Sequence, residues 1–460
     1  MEWREWSFRH SLVSRCLNAL QEAGGPSDAV IPVQFSQPES LSCEVFWWDI
    51  HAIIYPTSTY WIHSGDGISA RHAAFCLTGF DYLQSDSSDP EFCTTGPKTL
   101  AIEGEQIPVL HTSGMVERDC IKHDIATLLQ LEDPDQLPPS FNDVFLYPGG
   151  MSAINAVARS VGDLGIKPGV FTLGWLYTET VNILEHRLPD ITIYKKGGDE
   201  ELDRLEASLK YGAHITALWV DVPSNPMHIT PDMPRLRQLA NEYGFLILID
   251  GTVGTFGNVD LLPYADVLMS SLTKMSSGYA NVLAGSLKCR CKPPVSLLRE
   301  ITLALDCLLR GYIFFLEISP SFTATLRISS TMFKLPTTML KLAAPPAVER
   351  VNSPTMTTRP HYERIRRRDG GYGHLLSIIF HDNETVTRFY DGVDIFKGGS
   401  FGTVFILSTP FAQLATDVDR RHFEEAGIPS HIVRISLGME DVDTFLDTLF
   451  KAIEMAMMRD

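Results

Sequence analysis

Ser271, Thr273 and Lys274, in "SSLTK", place two hydroxyls and an amine directly after the apolar run "DVLM". An amine there can snorkel to water as a solvated charge, anchor a phosphate, or serve as a nucleophile for covalent chemistry. Three more features stand in the same relation to an apolar run. "DVFLY" leads into "PGGMSAINAVAR", where Gly149, Gly150 and a small-residue helix start can aim backbone N–H groups at an anion. "ALWVDV" leads into "PSNPMHITP", with Asn225 in a proline-rich loop. "GFLILI" leads into Asp250 and the small-residue run "GTVGTFG". A carboxylate ending so apolar a run is costly to bury unless it meets a cation or a metal. Taken singly, these features also read as a turn, a rigid loop, a helix cap and a surface charge.

The elements that position them follow from the pattern between about residues 140 and 290. Short runs apolar on both faces ("DVFLYPG", "GVFTLGW", "ITALWVDV", "GFLILID", "DVLMSSL") alternate with helical stretches. That alternation predicts a parallel sheet inside an α/β layer fold. One predicted helix, in "TPDMPRLRQLANEYG", has Thr230 as its N-cap and Gly244 as its stop. In such a sheet ligands gather at the carboxyl ends of the strands, so all four features fall on one rim. An anion cradle, a strand-end carboxylate and a lysine are the set that pyridoxal 5'-phosphate requires. Its phosphate needs donors, its ring nitrogen needs a carboxylate to stay protonated, and its aldehyde needs an amine.

The 460 residues exceed one ordinary core and divide in three: an irregular N-terminal region over 1–135, the large α/β domain over 136–300, and a smaller domain over 301–460. Residues 1–135 show no long periodic segment. The last part carries strand-like "HLLSIIF", "TVFILST" and "HIVRISLG" and a closing helix in "DVDTFLDTLFKAIEMAM". The net charge of -18 argues against a nucleic-acid partner. "ITLALDCLLRGYIFFLEI" is broken by Asp306 and Arg310 and is too short for a bilayer, so no membrane partner is expected. The eight cysteines include one close pair, Cys289 and Cys291, which is neither a disulfide framework nor zinc spacing. No metal is expected. With no signal-peptide core at the start, the expectation is a cytoplasmic protein with reduced thiols.

The stretches "VPSNP", "ILIDGTVGTFG", "SSLTKMSSGYANVLAGSL" and "VRISLGMED" resemble the Cys/Met-metabolism family of pyridoxal-phosphate enzymes, which contains cystathionine γ-synthase and the cystathionine and methionine lyases. "DVFLYPGGMSAI", "RRDGGYGHLLSIIF" and "FKGGSFGTVFILSTP" are similar to the fungal cystathionine γ-synthase branch. The resemblance implies the three-layer, aspartate-aminotransferase-like architecture of fold type I, with a large parallel or mixed sheet and a smaller C-terminal α+β lobe. It implies that Lys274 is the Schiff-base lysine and that Ser271 and Thr273 bind the phosphate, together with the N–H groups of Gly150 and Met151. Asp250 then meets the ring nitrogen, Asn225 lies beside the phenolic oxygen, and Tyr177 in "WLYTET" stacks on the ring. Arg434 clamps the substrate carboxylate, and Ser400 matches the serine of the family's Ser-Leu-Gly turn.

The implied reaction is γ-replacement on an O-acylhomoserine-type amino acid, with a sulfur, carbon or nitrogen nucleophile. Elimination of the lyase type and a non-catalytic scaffold are the alternatives. A homodimer or homotetramer is implied as well. Four departures stand out. Thr178 and Glu179 replace the glycines that usually follow the stacking tyrosine, and Asp-Gly-Thr replaces Asp-Asn-Thr at Asp250. The Tyr-x-Arg pair that the family lends across a subunit interface is missing from its expected region, and Arg71 could substitute only by a different geometry. Residues 308–347 lack the expected Asn-Ser-Arg-containing helix.

Overall fold

Along the chain, β1 (Ile31–Ser36) and β2 (Ser42–Trp47) pair antiparallel. Then come α1 (Met115–Leu128), β3 (Val144–Tyr147), α2 (Gly150–Asp163), β4 (Val170–Leu173), α3 (Thr178–Arg187) and β5 (Ile191–Tyr194). They are followed by α4 (Asp199–Lys210), β6 (Ala217–Asp221), α5 (Met233–Tyr243), β7 (Leu246–Asp250), β8 (Val267–Ser271) and β9 (Gly285–Cys289). A second group holds β10 (Val348–Asn352), α6 (Arg359–Ile365), β11 (Leu375–Phe380), α7 (Asn383–Gly392) and β12 (Phe396–Lys397). It ends with β13 (Leu407–Thr409), α8 (Asp417–Ala426), β14 (Ile432–Ser436) and α9 (Val442–Met457). The computed structural model describes residues 31–36, 42–47, 115–130, 139–163, 169–188, 190–278, 282–289, 341–413 and 417–458. Arg71 and residues 308–340 lie outside them.

Strands β3 to β9 form one seven-stranded sheet in the order β3-β9-β8-β7-β6-β4-β5. Strands β4 to β8 run parallel, and β9 pairs antiparallel with both β3 and β8, so the sheet is mixed. Two-sided apolar strands are needed because both faces are covered. In β6, Leu218 and Val220 join a core with Leu202 and Leu205 of α4 and Leu236 and Leu239 of α5. Ala217 and Trp219, alternating with them in sequence, join the opposite core with Ala153, Ile154 and Val157 of α2 and Leu184 of α3. This period-2 alternation splits the strand between two helical layers, which gives three layers in all.

The second sheet has the order β10-β11-β14-β13-β12 and is antiparallel except between β12 and β13. Leu446, Leu449 and Ile453 of α9 and Phe389 of α7 pack on it, making the α+β lobe that the sequence leads one to expect.

Two local expectations are corrected. Helix α1 lies where no long periodic segment was expected; Ile121, Ile125 and neighbouring Leu129, four residues apart, form one buried stripe, with Ala126 buried and Leu128 packed beside it. Tertiary burial, not a broad apolar face, holds it. Thr230 does not cap α5. Asp232 does, its Oδ1 accepting from the Arg235 N–H at 3.2 Å, with proline in the first turn, where the missing N–H breaks no bond. The Thr230 N–H instead donates to Thr358 Oγ1 at 2.7 Å. Gly244 ends the helix as expected, in the left-handed conformation at φ 76°.

Candidate active site

Strands β6, β7 and β8 end side by side at Asp221, Asp250 and Ser271, so their carboxyl ends form the rim that the sequence implied. At the end of β8 the chain turns, and Lys274 emerges half-buried toward the second sheet. Its Nζ donates to Ser400 Oγ at 3.1 Å and lies 4.8 Å from the centre of the Phe401 ring. Burial, and then the nearby Arg434 charge, push the Lys274 amine down to about 8, against the opposing pull of Asp250. An amine so poised is part-neutral at ordinary pH, which nucleophilic and general-base roles both require.

The anion cradle is set by close packing. A Cβ added to Gly150 would meet Ser271 Cβ at 2.7 Å, so only glycine lets the start of α2 approach the end of β8 this closely. The first turn of α2 therefore presents its backbone N–H groups, those of Gly150 and Met151 among them, beside Ser271. The Ser271 N–H donates to Thr252 Oγ1 at 2.8 Å. Thr273 Oγ1 accepts from the Ala284 N–H at 3.1 Å and donates to the Ala284 carbonyl at 3.3 Å, so here it braces the turn around Lys274.

Asp250 Oδ1 accepts from the Thr252 N–H at 2.8 Å. Burial raises its carboxyl, while bonds from Thr252 and the charge of Lys274 oppose the rise. Tyr177 stands at the N-cap of α3, 48% exposed, and its N–H donates to Asp221 Oδ2 at 3.0 Å. Its ring is thus anchored through the main chain and open on its face.

Arg434, on β14 and only 3% exposed, enters from the other lobe. Its guanidinium donates to Asn225 Oδ1 (3.3 Å), to the Gly399 and Ser400 carbonyls (2.8 and 2.9 Å) and to Thr409 Oγ1 (3.1 Å). It packs 5.2 Å from the Phe401 ring and 5.4 Å from that of Phe411. Burial lowers it to about 10, and its buried Nε has no partner. An orphaned donor in a fork already aimed by four acceptors suits a carboxylate. The turn carrying Ser400 and Phe401 is pinned at Gly402, where φ is 73° and a Cβ would meet Met275 N at 2.5 Å.

The pieces of a pyridoxal 5'-phosphate site thus stand together: a helix N-terminus with a cradle too tight for any Cβ, a strand-end carboxylate, a depressed lysine and a buried arginine. Residues 139–454 match the family described as Cys/Met metabolism PLP-dependent enzyme. The chain belongs to that family. Among relatives, it is 36% identical to a cystathionine gamma-synthase-like protein of Aspergillus thermomutatus over 448 residues, 95% of this chain and 79% of the relative. It is 29% identical to a cystathionine gamma-synthase of Neurospora crassa, over 97% of this chain and 85% of the relative. The fold is similar to crystalline cystathionine gamma synthase of Xanthomonas oryzae pv. oryzae, with TM-score 0.60 and 20% identity, covering 84% and 98% of the two chains.

For this Cys/Met-metabolism enzyme, Gly150, Met151, Asn225, Asp250, Ser271, Thr273 and Lys274 lie at the strand-end rim, Tyr177 after β4, and Ser400 and Arg434 in the smaller lobe, whereas Arg71 lies outside the described residues. Others were missed. Asp221 ends an apolar strand as Asp250 does, so the same signal was present in "ALWVDV". Phe401, standing where the family turn has leucine, and buried His374 stacked on it at 5.8 Å gave no signal that a linear reading could weigh. His228 and His374 lie close to Arg434, and burial holds both imidazoles neutral, down at about 3. Among the described residues, no cluster of ligands for a metal ion exists, and no helix is long and apolar enough to cross a membrane.

Proposed function

We propose that the protein catalyses γ-replacement on an O-acylhomoserine-type amino acid. The observation that carries this reading is the shared placement of Lys274 and Arg434. The two side chains converge on the Phe401 ring, at 4.8 and 5.2 Å, and both bond to Ser400. An amino acid held by its carboxylate on Arg434 brings its Cα to the Lys274 amine. Pyridoxal 5'-phosphate, when bound, supplies the electron sink for a carbanion at Cα.

The protein's own residues do the rest. Gly150, Met151, Ser271 and Thr273 would hold the phosphate, Asp250 the ring nitrogen, Tyr177 the ring face and Asn225 the phenolic oxygen. Arg434 fixes the carboxylate, and its bond to Asn225 ties substrate clamp to cofactor pocket. Lys274 takes the Cα proton and returns a proton further along the substrate chain. The net change breaks the Cγ–O bond, expelling the acyl group as a carboxylic acid. It forms a Cγ bond to the nucleophile, which gives up its proton.

Family resemblance and the similarity to cystathionine gamma-synthases support sulfur as the nucleophile. The departures after Tyr177 leave carbon and nitrogen nucleophiles within the same reading, as in specialised fungal biosynthesis. The resemblance also supports a homodimer or homotetramer acting on small amino acids in the cytoplasm. Incubation with O-acetyl- and O-succinylhomoserine and a panel of thiols, amines and carbonyl carbon acids, read by mass spectrometry, tests the reading. A new Cγ-substituted amino acid supports it; release of a keto acid from every mixture, or no turnover, overturns it.

A further inference from the structure

Asp221 closes β6 and Asp250 closes β7, and the parallel register pairs them directly. Paired residues on adjacent parallel strands project to one face about 5 Å apart. Two carboxylates so close and withdrawn from water do not both ionise. Their surroundings are unequal. Asp250 has the Thr252 N–H at 2.8 Å, the Thr252 hydroxyl and the field of the Lys274 amine to stabilise a negative charge. Asp221 has the Tyr177 N–H at 3.0 Å. Burial raises both groups, Asp221 well above the ordinary range, with the charge of Asp250 adding to the rise.

We propose that Asp221 is a positioning residue that carries the proton of this carboxylate pair, leaving Asp250 ionised for the cofactor's ring nitrogen, while Asp221 also fixes the backbone of Tyr177. The proposal rests on the assignment of Asp250 and Tyr177 to the cofactor made above. It joins the ring-stacking residue and the nitrogen-binding residue into one unit. The Tyr177 N–H bonds Asp221, the register sets Asp221 beside Asp250, and Thr252 links Asp250 to the Ser271 N–H. The ring face, the ring nitrogen and the anion cradle are thereby set by one network. A neutral acid in this place holds the network without adding a second negative charge beside Asp250.

The test uses the full-length protein stripped of cofactor, with pyridoxal 5'-phosphate as the probe. Asp221→Asn keeps shape, neutrality and an oxygen for the Tyr177 N–H; Asp221→Ala keeps none of these bonds. The dissociation constant is measured by titration. Protons exchanged on binding are counted by calorimetry in buffers of different ionisation enthalpy. Asn is expected within about threefold of the parent with the same proton count, and Ala about tenfold to a hundredfold weaker. If Asn binds as weakly as Ala, or its proton count differs by about one, an ionised Asp221 is required and the proposal is overturned. Parent-like binding by Ala overturns it too. Should Ala fail to fold, as judged by circular dichroism, the Asn affinity and proton count decide alone. Borohydride trapping of the probe on a lysine other than Lys274 would instead remove the site assignment itself, an outcome separable from any result with Asp221.

Discussion

Lys274 sets a pH dependence whose sign is fixed by its surroundings. A lysine pushed down to about 8 becomes the neutral nucleophile as pH rises through that value, and is mostly protonated below it. The neutral fraction grows about fivefold from pH 7 to 8 and less than twofold from pH 8 to 9. Covalent capture of pyridoxal 5'-phosphate, followed by stopped-flow absorbance, is expected to track those factors; a rate still climbing steeply beyond pH 9 would contradict a depressed amine. Lys274→Ala should abolish capture, with borohydride reduction of the parent marking the peptide that holds Lys274. Arg434→Lys replaces a fork bonded to Asn225, Gly399, Ser400 and Thr409 by a single ammonium. A loss of about ten- to a hundredfold in kcat/KM is expected, seen mainly in KM for the amino acid and little in cofactor affinity. Asp250→Ala should leave capture possible but stop exchange of the substrate Cα proton, as read by NMR in heavy water.

The rim of the large sheet was legible in the sequence because β3, β6, β7 and β8 are apolar on both faces and each ends in a polar or small residue. Local patterns carry that much. The start of α5 was not, since Thr230 and Asp232 are both competent caps by residue type and only the folded backbone sets the Asp232 carboxylate on the Arg235 N–H. Nor was α1, whose stripe is too narrow to stand out from its charged neighbours. Pairing of Asp221 with Asp250, and the stacking of His374 on Phe401, depend on register and on contacts between distant segments, which no local pattern encodes. The Ser400-Phe401-Gly402 turn tests this level. Gly402→Ala adds a Cβ 2.5 Å from Met275 N and at a positive φ, so the turn must move away from Lys274. Weaker amino-acid binding at near-normal thermal stability is expected, measured by substrate titration beside a melting curve. In the smaller lobe, Leu449→Ala, at a fully buried position of α9, should cost about 2–5 kcal/mol of stability in urea unfolding.

Over the whole molecule, the Lys274 amine and the proposed anion cradle belong to the seven-stranded sheet, whereas Arg434, the proposed carboxylate clamp, belongs to the five-stranded one. Arg434 lies 160 residues beyond Lys274 in the chain and is brought to it by the packing of β11 and β14 against the loop at Asn225 and of the Ser400 turn against Lys274. Light scattering of the purified protein is expected to give a dimer or tetramer. Prolonged dialysis is expected to strip pyridoxal 5'-phosphate readily, because no Tyr-x-Arg pair is found in its expected region of the sequence; a charge-assisted phosphate contact of that kind is worth about tenfold to a hundredfold in affinity. A monomer, or an oligomer that keeps its cofactor throughout, would contradict the expectation.

The late position of β14 has a bearing on synthesis as well as on catalysis. A nascent or prematurely ended chain that stops before Ile432 already contains Lys274 with its strand, and so owns an amine able to attack aldehydes. It lacks Arg434, the group proposed to select amino acids by their carboxylate. Selection by the substrate carboxylate is therefore the last property the polypeptide acquires, and the Arg434 charge that helps depress the Lys274 amine arrives with it.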